Sequence, residues 1–276
     1  MRESIFHLES PEPQLMSAVI GEKLFLDRSR VEFLLEMGAI YRNRKRQVED
    51  CLVGPEDIVR VHTLPKRFPT DWKWGDRIVF QDEAVVVVDK PAGIPVHATL
   101  DNRIENVAQQ LGDFLEQRLY VTHRLDTVTS GLMVLAKAPQ SQSDINKLFS
   151  RRLVKKSYIA RIPIPVALGH HVHFMAPSWR APRVVVAEEH ANWARCELII
   201  TDIQPQREYF LANIDLLTGR THQIRAQLAA LGASLAGDTQ YGSDLPASFF
   251  HLRCTHLAWP GRSLTCGADE PGTREE

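Results

Sequence analysis

A short run of β-branched residues limits the possible folds of this chain more than any other feature. Residues 84–88 read AVVVV, follow the polar turn QDE at 81–83, and end at the segment KPAG at 90–93. A short apolar run between turn signals is typical of a β-strand that is buried on both faces. Together with residues 78–80 before the turn, it predicts a hairpin whose second strand is fully buried.

Strand-like segments outnumber helical ones in the rest of this region. Short apolar or alternating segments lie at residues 132–136, 184–187, 196–201 and 210–216. Apolar residues recur at helical spacing between residues 104 and 115, and such spacing is typical of an amphipathic helix. We therefore expect a region with more strands than helices.

The segment before residue 76 has a different character. Ser29 and Glu32 form the pattern of a helix capping box, and Gly38 is placed to end that helix. Prolines and the sequence WKWGD at 72–76 then interrupt the pattern. We predict a small α/β module at 1–75 and a larger domain at 76–276.

Basic residues are concentrated in two places, although the chain of 276 residues has 33 Lys and Arg against 34 Asp and Glu. The first cluster consists of Arg42, Arg44, Lys45 and Arg46. The second lies at 147–161 without any acidic residue and consists of Lys147, Arg151, Arg152, Lys155, Lys156 and Arg161. A basic cluster in a neutral protein indicates either a solvated turn or a surface for an anionic partner. For the second cluster we favour the anionic partner.

Cysteine spacing and the first residues bear on the compartment. The four cysteines lie far apart without a Cys-x-x-Cys pair, which is typical of free thiols in a reducing compartment. The first fifteen residues lack the pattern of a secretory signal, and no apolar run is long enough to span a membrane. We expect a cytoplasmic protein without membrane contact.

The segment THRLDTVTSGLMVLAK at 122–137 is the strongest candidate for chemistry. It places Asp126 in a turn of Thr, Ser and Gly that leads into a buried strand. A partly desolvated carboxylate is stable only when a cation or hydrogen-bond donors face it. Arg220 lies between a predicted strand and a helix that Thr221 would cap, so we expect it to pair with Asp126. A purely structural Arg–Asp pair is the alternative.

Two other arrangements carry little weight. His170, His171 and His173 lie close together, but no carboxylate or cysteine stands nearby at metal-ligand spacing, so we predict no metal site. His123, Asp126 and Ser130 lie within eight residues, and no oxyanion-hole element accompanies them. We therefore predict no hydrolase triad.

The segment HRLDTVTSGLMVLAK closely resembles the signature around the catalytic aspartate of the RluA-type pseudouridine synthases. IVFQDEAVVVVDKPAGIPVH, KKSYIARI and LTGRTHQIRAQL resemble three further motifs of that family, in the same order, over residues 76–242. Residues 20–67, with SRVEFLLEMGAI, resemble the small RNA-binding module of the ribosomal protein S-four type. With the strand-rich pattern, the resemblance implies an α+β fold, with a mixed, mostly antiparallel central sheet, flanking helices and a catalytic cleft.

The resemblance also implies a reaction that needs no cofactor, the isomerisation of uridine in RNA to pseudouridine. Asp126 would be the catalytic carboxylate, and the sequence leaves open whether it attacks the anomeric carbon or removes a neighbouring ribose proton. Tyr158 would stack on the uracil and act as general base, a core tyrosine being the alternative. Arg220 would pair with Asp126.

The same resemblance implies contacts with a folded RNA. The target base would be flipped out, with Arg124 filling its place, and His123 beside it would contact RNA. Phosphates would be bound by basic side chains of both clusters, namely Lys147, Arg151, Arg152, Lys155, Lys156, Arg42, Arg44, Lys45 and Arg46. We expect a monomer acting on ribosomal RNA more readily than on transfer RNA.

Two other functions stay open. A catalytically inactive RNA-binding or ribosome-assembly protein could have the same scaffold, and a nucleoside glycosidase would need a second carboxylate near Asp126. The chain also departs from the family pattern, because it has GAS at 232–234 where Gly-His-Pro is common and LRC at 252–254 where Leu-His-Ala is common. These departures concern the packing of the last strands and the RNA that is bound.

Overall fold

A computed structural model describes residues 4–178, 180–246, 248 and 250–268 of the chain. The first elements along the chain are β1 (Ile5–Leu8), β2 (Gln14–Leu15), α1 (Met16–Leu24), α2 (Arg28–Met37), β3 (Ile40–Arg42), β4 (Lys45–Gln47), β5 (Leu52–Val53) and β6 (Val59–His62). The next are α3 (Trp74–Arg77), β7 (Ile78–Gln81), β8 (Val85–Lys90), α4 (Val107–Phe114), β9 (Tyr120–Val121), β10 (Ser130–Ala136), α5 (Pro139–Ser150) and β11 (Lys155–Ile162). The last are β12 (Gly169–Met175), β13 (Val185–Val186), β14 (Ala194–Pro205), β15 (Phe210–Leu216), α6 (Gln223–Ala230), a 3-10 helix at Thr239–Tyr241, β16 (Leu252–Trp259) and β17 (Arg262–Thr265).

The chain forms two compact units. The N-terminal unit contains Met1–Trp72 and Ile94–Gln117, and the C-terminal unit contains Lys73–Gly93 and Arg118–Glu276. The predicted division after residue 75 lies close to the first of these boundaries. It wrongly assigned residues 94–117, with α4, to the larger domain.

Long-range hydrogen bonds explain why residues 94–117 belong to the N-terminal unit. The backbone N–H of Arg103 donates to the Met37 carbonyl over 2.8 Å, and the Tyr41 hydroxyl donates to the Leu100 carbonyl over 2.7 Å. The Glu105 carboxylate accepts from the Arg67 guanidinium over 2.7 Å. Each bond joins residues more than thirty positions apart, so no local pattern could reveal it.

In the N-terminal unit, α1 and α2 pack on a four-stranded sheet of order β1-β6-β3-β4. Met16, Ile20, Leu34 and Ile40 are fully buried in its core. The predicted helix is confirmed as α2, and Gly38 ends it in the left-handed conformation with φ 68°. The predicted cap is wrong, because the Asp27 side chain accepts from the backbone N–H of Arg30 and Ser29 bonds to Asp27 instead.

In the C-terminal unit, one sheet carries most of the structure. The described residues form eleven strands in the order β13-β12-β14-β15-β11-β16-β10-β8-β7, with β17 beside β16 and β9 beside β10. All pairs are antiparallel except β10 with β16, which are parallel. The predicted α+β class, with a mixed and mostly antiparallel sheet, is confirmed.

The predicted hairpin is also confirmed as β7 and β8. All six residues of β8 are buried, including Asp89 and Lys90. Continuous burial explains why the segment reads as an uninterrupted apolar run rather than as an alternating one.

The departure at residues 252–254 has a structural counterpart in the core. The Arg253 guanidinium, 1% exposed, makes two bonds to the Asp89 carboxylate, at 2.9 and 2.7 Å. Next to it, Cys254 pairs with Gly131 on β10. Gly131 has φ 105°, and a Cβ there would lie 2.2 Å from the Cys254 carbonyl oxygen. The last strands are therefore joined to β8 by a buried ion pair and to β10 by a glycine contact.

The described part of the chain has neither a membrane-spanning helix nor a cluster of metal ligands. Its helices are all too short or too polar to cross a membrane. Within the same residues, no group of three or more His, Cys, Asp or Glu side chains could hold a metal ion.

Candidate active site

Asp126 lies in the loop between β9 and β10, on the C-terminal unit. Its backbone carbonyl accepts from the Thr129 N–H over 3.0 Å, which forms a turn. The ammonium of the fully buried Lys90 donates to the carbonyls of Thr127 and Thr129, at 3.3 and 2.7 Å. The last residue of β8 therefore binds the backbone of this loop, while the Asp126 side chain stays 20% exposed.

The cation that faces Asp126 is Arg225, from the first turn of α6. Its Nη1 lies 3.4 Å from Asp126 Oδ2. The guanidinium is bound more closely by Asp238, with Nε and Nη2 donating over 2.7 and 2.8 Å, and by Gln240 over 2.9 Å. Because the two short hydrogen bonds of Arg225 go to Asp238, its contact with the Asp126 carboxylate is only a long hydrogen bond.

The predicted pairing of Asp126 with Arg220 is wrong. Among the described residues, no carboxylate lies within ion-pair distance of the Arg220 guanidinium, which is exposed at the edge of the site. The physical reason is the position of the helix start. Thr221 was predicted as the cap of this helix, but His222 occupies the cap position and α6 begins at Gln223. Arg220 therefore lies outside the helix, and the buried third helical residue, Arg225, points to the loop of Asp126.

His222 precedes α6 and faces the same carboxylate. It adopts the left-handed conformation with φ 58°, and its side chain makes no capping bond to the helix. Its Nε2 lies 3.8 Å from Asp126 Oδ1, and its Nδ1 lies 3.0 Å from the Tyr241 hydroxyl. Burial lowers the pKa of His222, so its ring is neutral at neutral pH.

Tyr158 lies on β11, opposite Cys254 of β16, and is 5% exposed. Burial raises the pKa of Tyr158 well above its ordinary value, and the Cys254 thiol and Asp126 carboxylate act in the same direction. The phenol is therefore protonated at neutral pH. Desolvation favours this neutral form of the phenol and opposes the general-base role that the resemblance implies.

A cleft of about 580 Å³ brings these groups together. Asp126, Tyr158, Arg220, His222 and Arg225 all line it. Its remaining walls come from the loop before β10, the end of α5 with the start of β11, and the corner between β15 and α6. This volume lies in the range of small-molecule and nucleotide pockets.

The cleft can hold an anionic nucleophile or base next to a nucleotide-sized ligand. The carboxylate is partly exposed to the cleft and is contacted by Arg225 and His222 at distances longer than an ordinary hydrogen bond. It is therefore oriented without being consumed by a tight ion pair, as a carboxylate that attacks or takes a proton must be.

The family model described as RNA pseudouridylate synthase matches residues 84–230, which is more than half of the chain. This chain belongs to the RNA pseudouridylate synthase family. The match includes the Asp126 loop, β11 with Tyr158, and α6 up to its last residue.

Similar proteins that are named as pseudouridine synthases come from a plant, a bacterium and a yeast. RNA pseudouridine synthase 6, chloroplastic, of Arabidopsis thaliana is 35% identical over 219 residues, 70% of this chain and 46% of that protein. Ribosomal large subunit pseudouridine synthase D of Nitrosomonas europaea is 34% identical over 185 residues, 62% and 51% of the two chains. The mitochondrial tRNA pseudouridine(32) synthase of Saccharomyces cerevisiae is 27% identical over 240 residues, 84% and 51%.

These matches cover about half the length of each of the three relatives. Among solved structures, Human RNA Pseudouridylate Synthase Domain Containing 4 aligns with a TM-score of 0.56 at 24% identity, over 70% of this chain and 89% of that one. At this identity the likeness shows a shared pseudouridylate synthase fold.

His123 was predicted to contact RNA, but its ring is bound within the protein by β10 and α5. Its Nε2 accepts from the Val134 N–H over 3.1 Å, and the ring packs 4.7 Å from Phe149. Burial lowers the pKa of His123 to about 3, with Lys156 acting in the same direction. The ring lines the cleft as a neutral group and offers no cation to a phosphate.

The basic cluster at 147–161 divides by position. Arg152 and Lys156 line the cleft, as does Arg124 of the HRLD motif, whereas Arg151 and Lys155 are exposed outside its lining. Lys147 pairs with Asp144 over 2.8 Å. Two acids outside the cluster, Asp144 on the same helix as Lys147 and Glu197 on β14, thus reduce a local charge that looked unopposed in the sequence.

Glu197 on β14 is contacted by one side chain of this cluster and by two from outside it. Arg195 lies 3.1 Å from its carboxylate, His170 lies 3.2 Å away, and Arg152 lies 3.7 Å away. Of the three, the Arg152 contact is the longest, and the side chain is 64% exposed. Arg152 can therefore exchange Glu197 for a phosphate at little cost, because exposed ion pairs contribute little stability.

The N-terminal basic cluster is also divided. Arg42 donates to Asp57 over 2.8 Å, and Arg46 is half-buried and donates to the Tyr41 hydroxyl over 2.7 Å. Arg44 and Lys45 are exposed at the turn between β3 and β4. Only the two residues at the tip are placed for an external partner.

Sequence reasoning missed Arg225, His222, Asp238 and Tyr241. His222 and Arg225 stand in the quoted motif LTGRTHQIRAQL, and Asp238 and Tyr241 follow it in the chain. The signal that could have selected Arg225 is helical spacing, because it shares the inward face of α6 with buried Leu228.

Proposed function

We propose that this chain converts uridine in RNA to pseudouridine in the cleft around Asp126. The observation that carries the proposal is the Asp126 carboxylate, partly exposed in the cleft and oriented by Arg225, whose own charge is bound by Asp238. Family membership supplies the reaction class. The geometry supplies a carboxylate that is open to the cleft and contacted by Arg225.

The reaction is an isomerisation with a closed balance of atoms. The bond between ribose C1′ and uracil N1 breaks, the base rotates, and a bond between C1′ and C5 forms. The hydrogen on C5 is lost and N1 gains one, so no oxidant or cofactor enters. Asp126 either attacks C1′ or removes the ribose proton beside it, and both routes start from the ionised carboxylate.

Tyr158 would contact the detached uracil from the wall that β11 forms. Its neutral phenol can stack on the ring and donate a hydrogen bond, which keeps the base in the cleft while it rotates. Its raised pKa favours this holding role over the general-base role that the resemblance implies.

Arg124, Arg152, Lys156 and Arg220 would meet the RNA at the cleft. Arg220 is exposed at the cleft, so its guanidinium can reach a phosphate. Arg124 donates to Thr221 Oγ1 over 3.3 Å, at the cleft wall from which it would fill the position left by the flipped base.

The N-terminal unit would be a second RNA contact, of the ribosomal protein S-four type. Support comes from the two helices packed on a small sheet and from exposed Arg44 and Lys45 on the β3–β4 turn. Such a module favours a structured ribosomal RNA as substrate, bound by a monomer in the cytoplasm. Relatives named for ribosomal and for transfer RNA make both classes part of the test.

The test compares a strain lacking the gene with strains that carry wild-type protein or Asp126→Asn. Pseudouridine is mapped chemically in ribosomal and transfer RNA. We expect one or a few positions to lose pseudouridine without the protein and to regain it only with wild type. In vitro, Asp126→Asn should lower the rate on the order of 10³-fold or more, with RNA affinity within twofold.

Asp202→Asn is the matched control, because Asp202 lies on β14, is exposed and is not part of the cleft lining. It should restore every mapped position. An unchanged map in the deletion strain would instead favour an inactive RNA-binding or ribosome-assembly protein. Activity retained by Asp126→Asn would reject this carboxylate.

A further inference from the structure

His222 has an unfavourable backbone conformation that the helix next to it does not explain. A residue with a Cβ at φ 58° is strained, and such strain concentrates at functional sites. A residue at the start of a helix normally compensates with a side-chain cap, but the His222 side chain makes none. The conformation places the ring beside Asp126 and Tyr241.

The ring lies between Asp126 and Tyr241. Its Nδ1 is 3.0 Å from the Tyr241 hydroxyl, and its Nε2 is 3.8 Å from Asp126 Oδ1. The two aromatic rings meet edge to face, at 65°. One edge of the imidazole is thus anchored in the protein, and the other is directed at the candidate catalytic carboxylate.

The hydrogen bonds of Tyr241 favour one tautomer of the His222 ring. The Tyr241 hydroxyl accepts from the backbone N–H of Arg183 over 2.9 Å, so its own hydrogen is available to His222 Nδ1. An Nδ1 that accepts leaves the proton on Nε2 in a neutral ring. That Nε2–H is then directed toward the Asp126 carboxylate, which is the favourable arrangement for a neutral donor beside an anion.

The charges around His222 are compatible with a neutral donor. Burial lowers the pKa of His222, and Arg225 and Arg183 act in the same direction, against Asp126 and Asp238. The Tyr241 ring is itself held by Arg225, whose guanidinium carbon lies 4.9 Å from the ring centre. Arg225 and His222 thus contact different oxygens of Asp126, Oδ2 and Oδ1.

We propose that His222 is a positioning residue that orients Asp126 through its Nε2–H, with its tautomer and ring direction set by the Tyr241 hydroxyl. The two donors lie on opposite oxygens at 3.4 and 3.8 Å, and they would restrict rotation of the carboxylate once these contacts shorten in the complex with substrate. The contact distance of 3.8 Å leaves the Oδ1 lone pairs available to the ribose. This role rests on the proposed isomerisation of uridine.

His222→Asn is the sharpest variant. Asparagine tolerates the left-handed conformation and can keep a bond to Tyr241, but it ends before the position of Nε2. The assay is single turnover with excess enzyme on [5-³H]uridine-labelled total RNA from the deletion strain, which contains both ribosomal and transfer RNA, because C5 loses its hydrogen in the reaction. We expect a rate loss on the order of a hundredfold, as for other misplaced reacting groups, with RNA affinity and thermal midpoint unchanged.

Tyr241→Phe supplies the second arm. It removes the hydroxyl and keeps the ring, so the rate should fall by about tenfold in the wild-type background and not at all in the His222→Asn background. The stability lost with the Arg183 bond should be equal in both backgrounds. A purely structural role for His222 would change the midpoint and not the rate.

The outcomes separate the two proposals. If wild type forms no pseudouridine, the proposed function fails. If wild type is active and His222→Asn stays within twofold of its rate, the positioning role is wrong while the proposed function stands. Rate losses that add in the double variant, or an RNA affinity that falls with the rate, would also overturn the role of His222.

Discussion

The imidazole of His123 shows how a residue in the loop that carries Asp126, three positions before that carboxylate, can act on stability rather than on the substrate. Its Nε2 accepts from Val134 of β10, and burial lowers its pKa to about 3. Accepting that bond requires an unprotonated nitrogen. The neighbouring Lys156 also disfavours a second positive charge.

This burial predicts a pH-dependent stability. The folded pKa of His123 lies below its ordinary value of 6.5, so the unfolded chain binds the extra proton between the two values. The stabilisation is complete above pH 6.5 and is lost as pH falls toward 3. His123→Gln can keep an acceptor for the Val134 N–H but does not titrate.

The measurement is urea unfolding of wild type and His123→Gln at pH 7.0, 6.0 and 5.0. The free energy of unfolding of wild type should fall relative to the variant by on the order of 1 kcal/mol over this range. Other titrating groups cancel in the difference. Parallel curves for the two proteins would contradict the neutral, buried state of His123.

At the scale of elements, the backbones of the parallel strands β10 and β16 approach each other closely at Gly131 and Cys254. A Cβ on Gly131 would lie 2.2 Å from the carbonyl oxygen and 2.5 Å from the nitrogen of Cys254. Both atoms belong to a paired backbone and cannot move aside. This contact fixes the start of β10, directly after the loop that carries Asp126.

We expect Gly131→Ala to destabilise the fold by about 3 kcal/mol or more, because it adds a backbone clash to a positive φ. Gly93→Ala is the matched control, since Gly93 also has a positive φ, of 87°, with nothing within 4 Å of the added carbon. It should cost only about 1 kcal/mol. Thermal unfolding of both variants measures the difference, and equal losses would show that the contact with β16 contributes nothing.

At the scale of the whole molecule, acidic side chains bind part of each basic cluster and leave other members of it exposed. In the N-terminal unit, Asp57 binds Arg42, while Arg44 and Lys45 stay exposed. Near the cleft, Glu197 binds Arg195 and the longer contact is to Arg152. The chain can therefore have a net charge of −1 and still present basic groups at two places.

The proposed contact of RNA with both the cleft and the β3–β4 turn predicts how affinity depends on salt. Arg44→Gln with Lys45→Gln should reduce the slope of log affinity against log salt by about 1.5, since each lost phosphate contact removes roughly 0.7 to 0.9. Arg28→Gln is the control, because Arg28 is equally exposed but already pairs with Glu32 over 2.7 Å. Filter binding to ribosomal RNA between 50 and 300 mM salt gives the slopes. Equal slopes for the double variant and wild type would exclude the N-terminal tip as an RNA contact.

Local sequence patterns determined the elements of this protein. The valine run of β8, the helix that ends at Gly38, and the Asp126 turn before β10 are each set by neighbours within ten residues, so periodicity and turn residues reveal them. The ordered motifs also determined the family, because four segments rarely occur together by chance. The α+β class follows from both.

Tertiary structure decided which side chains meet. Arg225 rather than Arg220 faces Asp126, because the helix start at Gln223 sets which side chain points inward. Residues 94–117 joined the N-terminal unit through hydrogen bonds that span more than thirty positions. Contacts of this kind depend on distance in space, and the free energy that selects among them comes from burial and charge pairing that no local window contains.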